Sequence, residues 1–207
     1  MKTLTISGIL TNSFQLGLKQ AGPLFLASLL WLLTIWIPYI NVGTTIGMIG
    51  LIIAMGRGEK INPSGIFNAK YRSNIGEFFL LIAFMIIGIS SAFMFLVIPG
   101  IVLQFAWILA PYLLIDKNLT PLDSIKQSNE LTNGYKWTIF FGLLIYFIAI
   151  SIGFAIVASI IGFIFGGLLG SYELAILAYI PLWAIMMSLL VSVYGYIYSA
   201  LVDNSNK

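Results

Sequence analysis

The sequence predicts an all-α, polytopic membrane protein, and three observations lead to this prediction. Of its 207 residues, 60% are hydrophobic and only 8% are charged, whereas soluble domains carry roughly 25% charged residues. Residues 20–56 and 78–115 contain no charge, and each run exceeds the about 20 residues that one membrane-spanning helix needs. All 10 basic residues fall on one side of the six-span arrangement derived below, as expected of cytoplasmic loops.

The first unit is an amphipathic helix over residues 3–20, followed by a helical hairpin. One face of this helix carries the apolar residues Ile6, Leu10, Phe14 and Leu18. Such a face is typical of a helix in the membrane interface plane, and a helix packed on loops is the alternative. Spans are predicted near Pro23–Ile37 and Gly43–Gly56, with a break at residues 38–41. The glycines of the second span favour close helix packing over a substrate path.

The second unit begins in the polar loop after Arg57. Asn62 and Pro63 form a good helix start, because asparagine caps a helix and proline fits its first turn. Spans are then predicted near Phe78–Ile98 and Ile101–Ile115, turning at the Pro99–Gly100 pair between them.

The third unit begins at Thr120, which resembles the cap of a capping box completed by Asp123. This short helix is expected to run to about Asn133, where Gly134 supplies the left-handed residue that ends it. Long spans follow, with a glycine-rich connection at residues 166–171 and a kink at Pro181 of the last helix. These two spans lie near Trp137–Phe165 and Leu174–Leu201.

An internal repeat is suggested, because an amphipathic segment precedes a tight hairpin in residues 3–58, 59–116 and 117–202. A repeat of this kind predicts three hairpins around a pseudo-threefold axis, with three interfacial helices on the cytoplasmic face. Chance similarity among apolar segments is the alternative. Both termini are expected in the cytoplasm, with the protein in the inner (plasma) membrane of a bacterium.

One set of residues carries a family resemblance: Pro99, Gly100, Pro111, Asp116, Ser128 and Gly134. With these residues the chain resembles a group of six-helix bacterial and archaeal membrane proteins. The group includes the membrane domain attached to some glycerophosphoryl diester phosphodiesterases. The resemblance implies a fold and a membrane location but no settled activity, and the phosphodiesterase domain that accompanies some members is absent here.

The composition also limits the chemistry of the chain. It has no cysteine and no histidine, which excludes disulfides, the usual zinc ligands and the usual general base near neutral pH. The acidic residues fall in loops or at the ends of spans, and they suggest no catalytic set. We therefore expect a protein that is not an enzyme and holds no metal or cofactor. The scattered basic residues do not predict nucleic-acid binding.

Two candidate sites remain. Contacts to anionic lipid headgroups are predicted for Lys19, Lys60, Lys70, Arg72 and Lys136. A polar site within the membrane is predicted at Gln104, Ser90 and Ser91, where interhelical hydrogen bonds are the alternative to a solute path.

The favoured function is a lipid-interacting scaffold, a membrane-shaping protein or an accessory subunit of a membrane complex. A small channel or transporter, for lipid among other solutes, is the alternative function. The expected partners are membrane lipids, together with a second copy of the chain or another membrane protein.

Overall fold

The computed structural model describes residues 4–203, apart from the side chains of residues 71–73. Helix accounts for 85% of the protein, and the described residues contain no strand. The α-helices are α1 (Ile6–Lys19), α2 (Ala21–Thr34), α3 (Ile40–Gly56), α4 (Ile75–Phe95), α5 (Val97–Ala106), α6 (Ala110–Lys117), α7 (Pro121–Leu131), α8 (Lys136–Ile161) and α9 (Tyr172–Tyr198). Short 3-10 helices cover Pro63–Phe67 and Ala69–Asn74, and π-helical turns at Gly162–Leu168 and Ser199–Asp203 extend α8 and α9.

Several of these helices are apolar and long enough to cross a membrane, which indicates a membrane protein. Length and composition single out four in the described chain: Ile75–Phe95, Val97–Lys117, Lys136–Leu168 and Tyr172–Asp203. A fifth candidate is the pair of α1 and α2, which is bent by 77°. The predicted count of six is not reached, because α2 has 14 residues and α3 has 17, fewer than the about 20 of a full span. The terminal residues 1–3 and 204–207, with Lys2 and Lys207, lie outside the described residues.

Helix α1 packs lengthwise and antiparallel against α9. The hydroxyl of Ser192 donates to the Ser13 carbonyl at 2.8 Å, and the hydroxyl of Ser188 donates to the Gly17 carbonyl at 2.6 Å. The predicted apolar stripe is partly exposed, since Phe14 and Leu18 are 43% and 45% exposed whereas Leu10 packs against the core. The buried face consists of Ile9, Ser13 and Gly17, and its small residues let the helix backbones approach closely.

Two glycines of α3 allow neighbouring segments to approach its backbone. A Cβ atom at Gly56 would overlap the carbonyl oxygen of Gly195 in α9, and one at Gly47 would overlap the backbone of Ile66. The short 3-10 helix Pro63–Phe67 therefore lies along α3 rather than alone at a surface. Asn62 caps this helix, since its side chain accepts a hydrogen bond from the Ser64 amide at 3.2 Å.

The second hairpin turns at Leu96, so the predicted turn at Pro99 and Gly100 is wrong. Leu96 has an extended backbone between α4 and α5, and both predicted turn residues lie inside α5. Proline is tolerated there because the first amides of a helix have no intrahelical partner. Gly100 leaves room for the ring of Phe93, which a Cβ atom would overlap.

Candidate functional site

An ionic cluster joins the ends of three helices at one end of the bundle. Arg57 follows α3, Asp116 lies in the last turn of α6, and Asp203 closes the π-helical turn after α9. The Nη1 and Nη2 atoms of Arg57 donate to the two carboxylate oxygens of Asp116, each at 2.7 Å. Nη2 also lies 3.1 Å from Oδ1 of Asp203. The hydrogen bonds that Arg57 donates to Asp116 raise the pKa of Arg57 above its ordinary value, so this residue stays charged.

A row of tyrosines extends from this cluster into the bundle. The hydroxyl of Tyr198 donates to Oδ2 of Asp116 at 2.6 Å, and the Arg57 guanidinium carbon lies 5.9 Å from the Tyr198 ring centroid. The Tyr112 ring lies 5.8 Å from the Tyr198 ring and 6.5 Å from the Tyr194 ring, on which it stacks. The tyrosines thus connect the charged end of the protein to its apolar interior.

Tyr112 and Tyr194 also form one end of a large cavity. It has a volume of about 770 Å³ and is bounded by α4, α5, α6 and α8, with Ile49 of α3 in its wall. Ligand pockets typically measure about 300–1,000 Å³. No acidic or basic residue lines it, and its polar groups come from Ser90, Gln104 and the two tyrosines. The cavity can therefore hold an uncharged, mainly apolar molecule.

Of the three polar residues predicted to form an intramembrane site, two line this cavity. Ser90 and Gln104 line it, whereas Ser91 does not. The alternative interpretation, hydrogen bonds between the two helices, is wrong for the described part of the chain, because neither Ser90 nor Gln104 makes one there. Both side chains are consequently available to a molecule in the cavity.

A second, polar cavity of about 690 Å³ lies beside the ionic cluster. It is lined by Gln15 and Lys19 of α1, by Tyr196 of α9, and by Arg57 and Asp203. A predicted lipid-contact lysine, Lys19, thus shares this cavity with the ionic cluster.

The other predicted headgroup contacts with described side chains do not line this cavity. Lys60 and Lys70 are exposed in the loop before α4, and Nζ of Lys136 donates to the side-chain oxygen of Asn129 at 2.8 Å. The side chain of Arg72 lies outside the described residues.

Ser128 of α7 packs against the break between α5 and α6, which together form the helical segment of residues 97–117. The break at residues 107–109 arises because Pro111 has no amide hydrogen to donate to the Trp107 carbonyl. The buried hydroxyl of Ser128 donates to the Ala106 carbonyl at 2.7 Å and accepts from the Leu109 amide at 3.1 Å. Helix α7 therefore completes the hydrogen bonding of α5 and α6.

The ends of α7 follow the sequence pattern. The Thr120 hydroxyl accepts from the Asp123 amide at 3.2 Å and donates to its carboxylate at 2.7 Å. Gly134 has a φ angle of 81°, the left-handed conformation that commonly follows a helix.

The residues that sequence reasoning missed are Arg57, Asp203 and the three clustered tyrosines. Asp116 was singled out, but its partners were not. A signal was present, since Arg57, Asp116 and Asp203 each lie within one residue of the end of a predicted repeat unit. No protein-family model, curated protein or solved structure matches this chain, so its function has to be argued from the cavity and the cluster.

Proposed function

We propose that this chain is a non-catalytic integral membrane protein that holds membrane lipid in the 770 Å³ cavity and acts as a lipid-interacting scaffold or accessory subunit. The observation that carries the proposal is an apolar cavity without charged lining among helices of membrane-spanning length. An empty cavity of this size deprives its walls of dispersion contacts. Acyl chains are the abundant apolar molecules around such helices, and they would supply those contacts.

The six-span topology belongs to this proposal, with α2 and α3 as a short first hairpin. Its support is the ionic cluster, which holds the ends of α3, α6 and α9 at one face, as six alternating spans require. The side chain of Asn74, before α4, donates to Asn118 after α6 at 3.1 Å, so α4 starts at that face. The basic residues of the loops at that face support a cytoplasmic location for both termini and an inner-membrane location for the protein.

Lipid transport is the second candidate function, and the break at residues 107–109 favours it. Interrupted spans are typical of transporter binding sites. Against it, Ser128 and Thr132 already satisfy the free carbonyl of Ala106. Lipid movement between the leaflets of reconstituted vesicles would favour transport, whereas retention of lipid without movement would favour the scaffold.

Native mass spectrometry after gentle extraction tests the proposed function. The wild type is expected to retain lipid, and Ser90→Trp is expected to release it, because the larger side chain fills the end of the cavity. Ser91→Trp is the matched control, since the adjacent residue is outside the cavity lining. Equal lipid retention by both variants would contradict lipid binding in this cavity.

A further inference from the structure

Ser90 and Gln104 lie at the same level of the second hairpin and both contact the cavity. Two contacts between the hairpin helices show that these residues lie side by side along the hairpin axis. Gly88 lies against the ring of Trp107, and Gly100 lies against the ring of Phe93. Residues 90 and 104 fall between these two contacts. The amide and the hydroxyl therefore form one polar position in an otherwise apolar part of the cavity.

This polar position lies far from the charged end of the protein. Phe78 lines the opposite part of the cavity, near the start of α4, and the twelve residues from Phe78 to Ser90 extend about 18 Å along a helix. The hydrocarbon of one leaflet is about 15 Å thick, half of the about 30 Å core. In the proposed topology, Ser90 and Gln104 consequently lie in the hydrocarbon of the far leaflet, since α4 ends at Phe95, about 8 Å beyond Ser90.

The depth and the lining restrict what can bind at this position. A phosphate would lose its hydration without gaining a cation, because no basic residue among those described lines the cavity, and a charge within the hydrocarbon is costly. The headgroup of a phospholipid would therefore stay at the surface. A hydroxyl or carbonyl group could reach the position, because the Gln104 amide both donates and accepts and the Ser90 hydroxyl does the same.

We propose that the cavity binds a neutral lipid whose hydroxyl or carbonyl oxygen is hydrogen-bonded by Gln104 and Ser90, in preference to a phospholipid. This inference rests on the proposed lipid-binding function and adds the class of lipid. The apolar chains of the ligand lie against the walls contributed by α4 and α8, and its oxygen is the feature that the site recognises.

The test uses the full chain in vesicles of phosphatidylethanolamine and phosphatidylglycerol. Trace diacylglycerol with a photoactivatable chain is added to one sample, and phosphatidylethanolamine with the same chain is added to the other. Cross-linked peptides from α4, α5 and α8 are then quantified. Diacylglycerol is expected to label them several-fold more than the phospholipid probe.

Variants of the two polar residues give the second readout. Gln104→Leu and Ser90→Ala are each expected to reduce diacylglycerol labelling about fivefold, the effect of losing one hydrogen bond. Neither substitution removes a hydrogen bond within the described protein, so both variants should fold. Ser91→Ala is the control and should label like the wild type.

The outcomes separate the two proposals. Preferential labelling by diacylglycerol that falls only in the Gln104 and Ser90 variants supports the neutral-lipid site. Equal labelling by both probes, unaffected by the variants, overturns the neutral-lipid inference and leaves lipid binding standing. No labelling of the cavity peptides by either probe overturns both.

Discussion

Arg57 and Asp116 form a two-pronged ion pair that joins the end of α3 to the end of α6, with both contacts at 2.7 Å. The planar guanidinium matches the two carboxylate oxygens, which makes this a strong form of hydrogen-bonded ion pair. Because Asp203 contacts the same guanidinium, the pair also holds the end of the last helix. Helix ends that are far apart in the sequence are therefore fixed together.

Substitution of Asp116 by asparagine should destabilise the protein. The change leaves Arg57 with Asp203 as its only carboxylate partner in the described chain. Since the Arg57 side chain is 33% exposed, water screens part of the effect, and we expect a loss of about 1–2 kcal/mol. Thermal unfolding in detergent measures it, with the exposed Glu173→Gln as control. An unchanged melting temperature would show that the pair adds no stability.

Tyr198→Phe should also lower the stability, by about 1–2 kcal/mol, because it removes a hydrogen bond to a carboxylate and keeps the ring. Tyr194→Phe is the matched control, since its hydroxyl has no hydrogen-bond partner in the described residues. The comparison requires melting curves of both variants in the same detergent. Similar shifts for the two would refute a special role for the contact between Tyr198 and Asp116.

Ser128→Ala and Ser124→Ala should differ sharply, although both serines are fully buried in α7. The first variant loses the hydrogen bonds to Ala106 and Leu109 across the helix break. Its free energy of unfolding should fall by about 1–3 kcal/mol. The second removes a buried hydroxyl that has no hydrogen-bond partner among the described residues, so it should be neutral or stabilising. Chemical unfolding of both variants checks the difference, and a smaller effect at Ser128 than at Ser124 would contradict this account.

Gly47→Ala should disturb α3, whereas Gly43→Ala on the same helix should be tolerated. A methyl group at Gly47 would meet the backbone of Ile66, which cannot move as a flexible side chain does. Nothing lies within 4 Å of a methyl group at Gly43, where alanine should add about 0.5–1 kcal/mol of helix stability. Limited proteolysis of the loop after α3 measures the first effect. Equal cleavage of both variants would argue against close packing at Gly47.

Most helices could be predicted from the sequence within a few residues, because long uncharged runs leave few alternatives, but the span predicted near Ile101–Ile115 is divided into α5 and α6. Thr120 and Gly134 also showed where α7 begins and ends, since capping is a local property of the chain. The turn of the second hairpin was misplaced because proline and glycine are read as turn residues, yet both also fit the first turn of a helix. The extended backbone at Leu96 has no signal of its own.

Two features could not be read from the pattern. One is the packed face of α1, which consists of Ile9 and the small residues Ser13 and Gly17, while Phe14 and Leu18 remain exposed. Apolar periodicity identified the exposed apolar face but gave no sign that small residues form the packed one. The ionic cluster was missed because its members are separated by 59 and 146 positions, and only the folded chain brings them together.

The contact of Ser128 with the helix break has a consequence for biogenesis. The ribosome delivers Ala106 and Leu109 before Ser128, so the broken helix leaves the exit tunnel without the side chain that completes its hydrogen bonds. Until α7 has also emerged from the ribosome, those backbone groups need water or the wall of the translocon, because hydrocarbon offers no partner. The hairpin of α4 and α5 is thus expected to reach its final position in the bilayer only after the next helix has emerged.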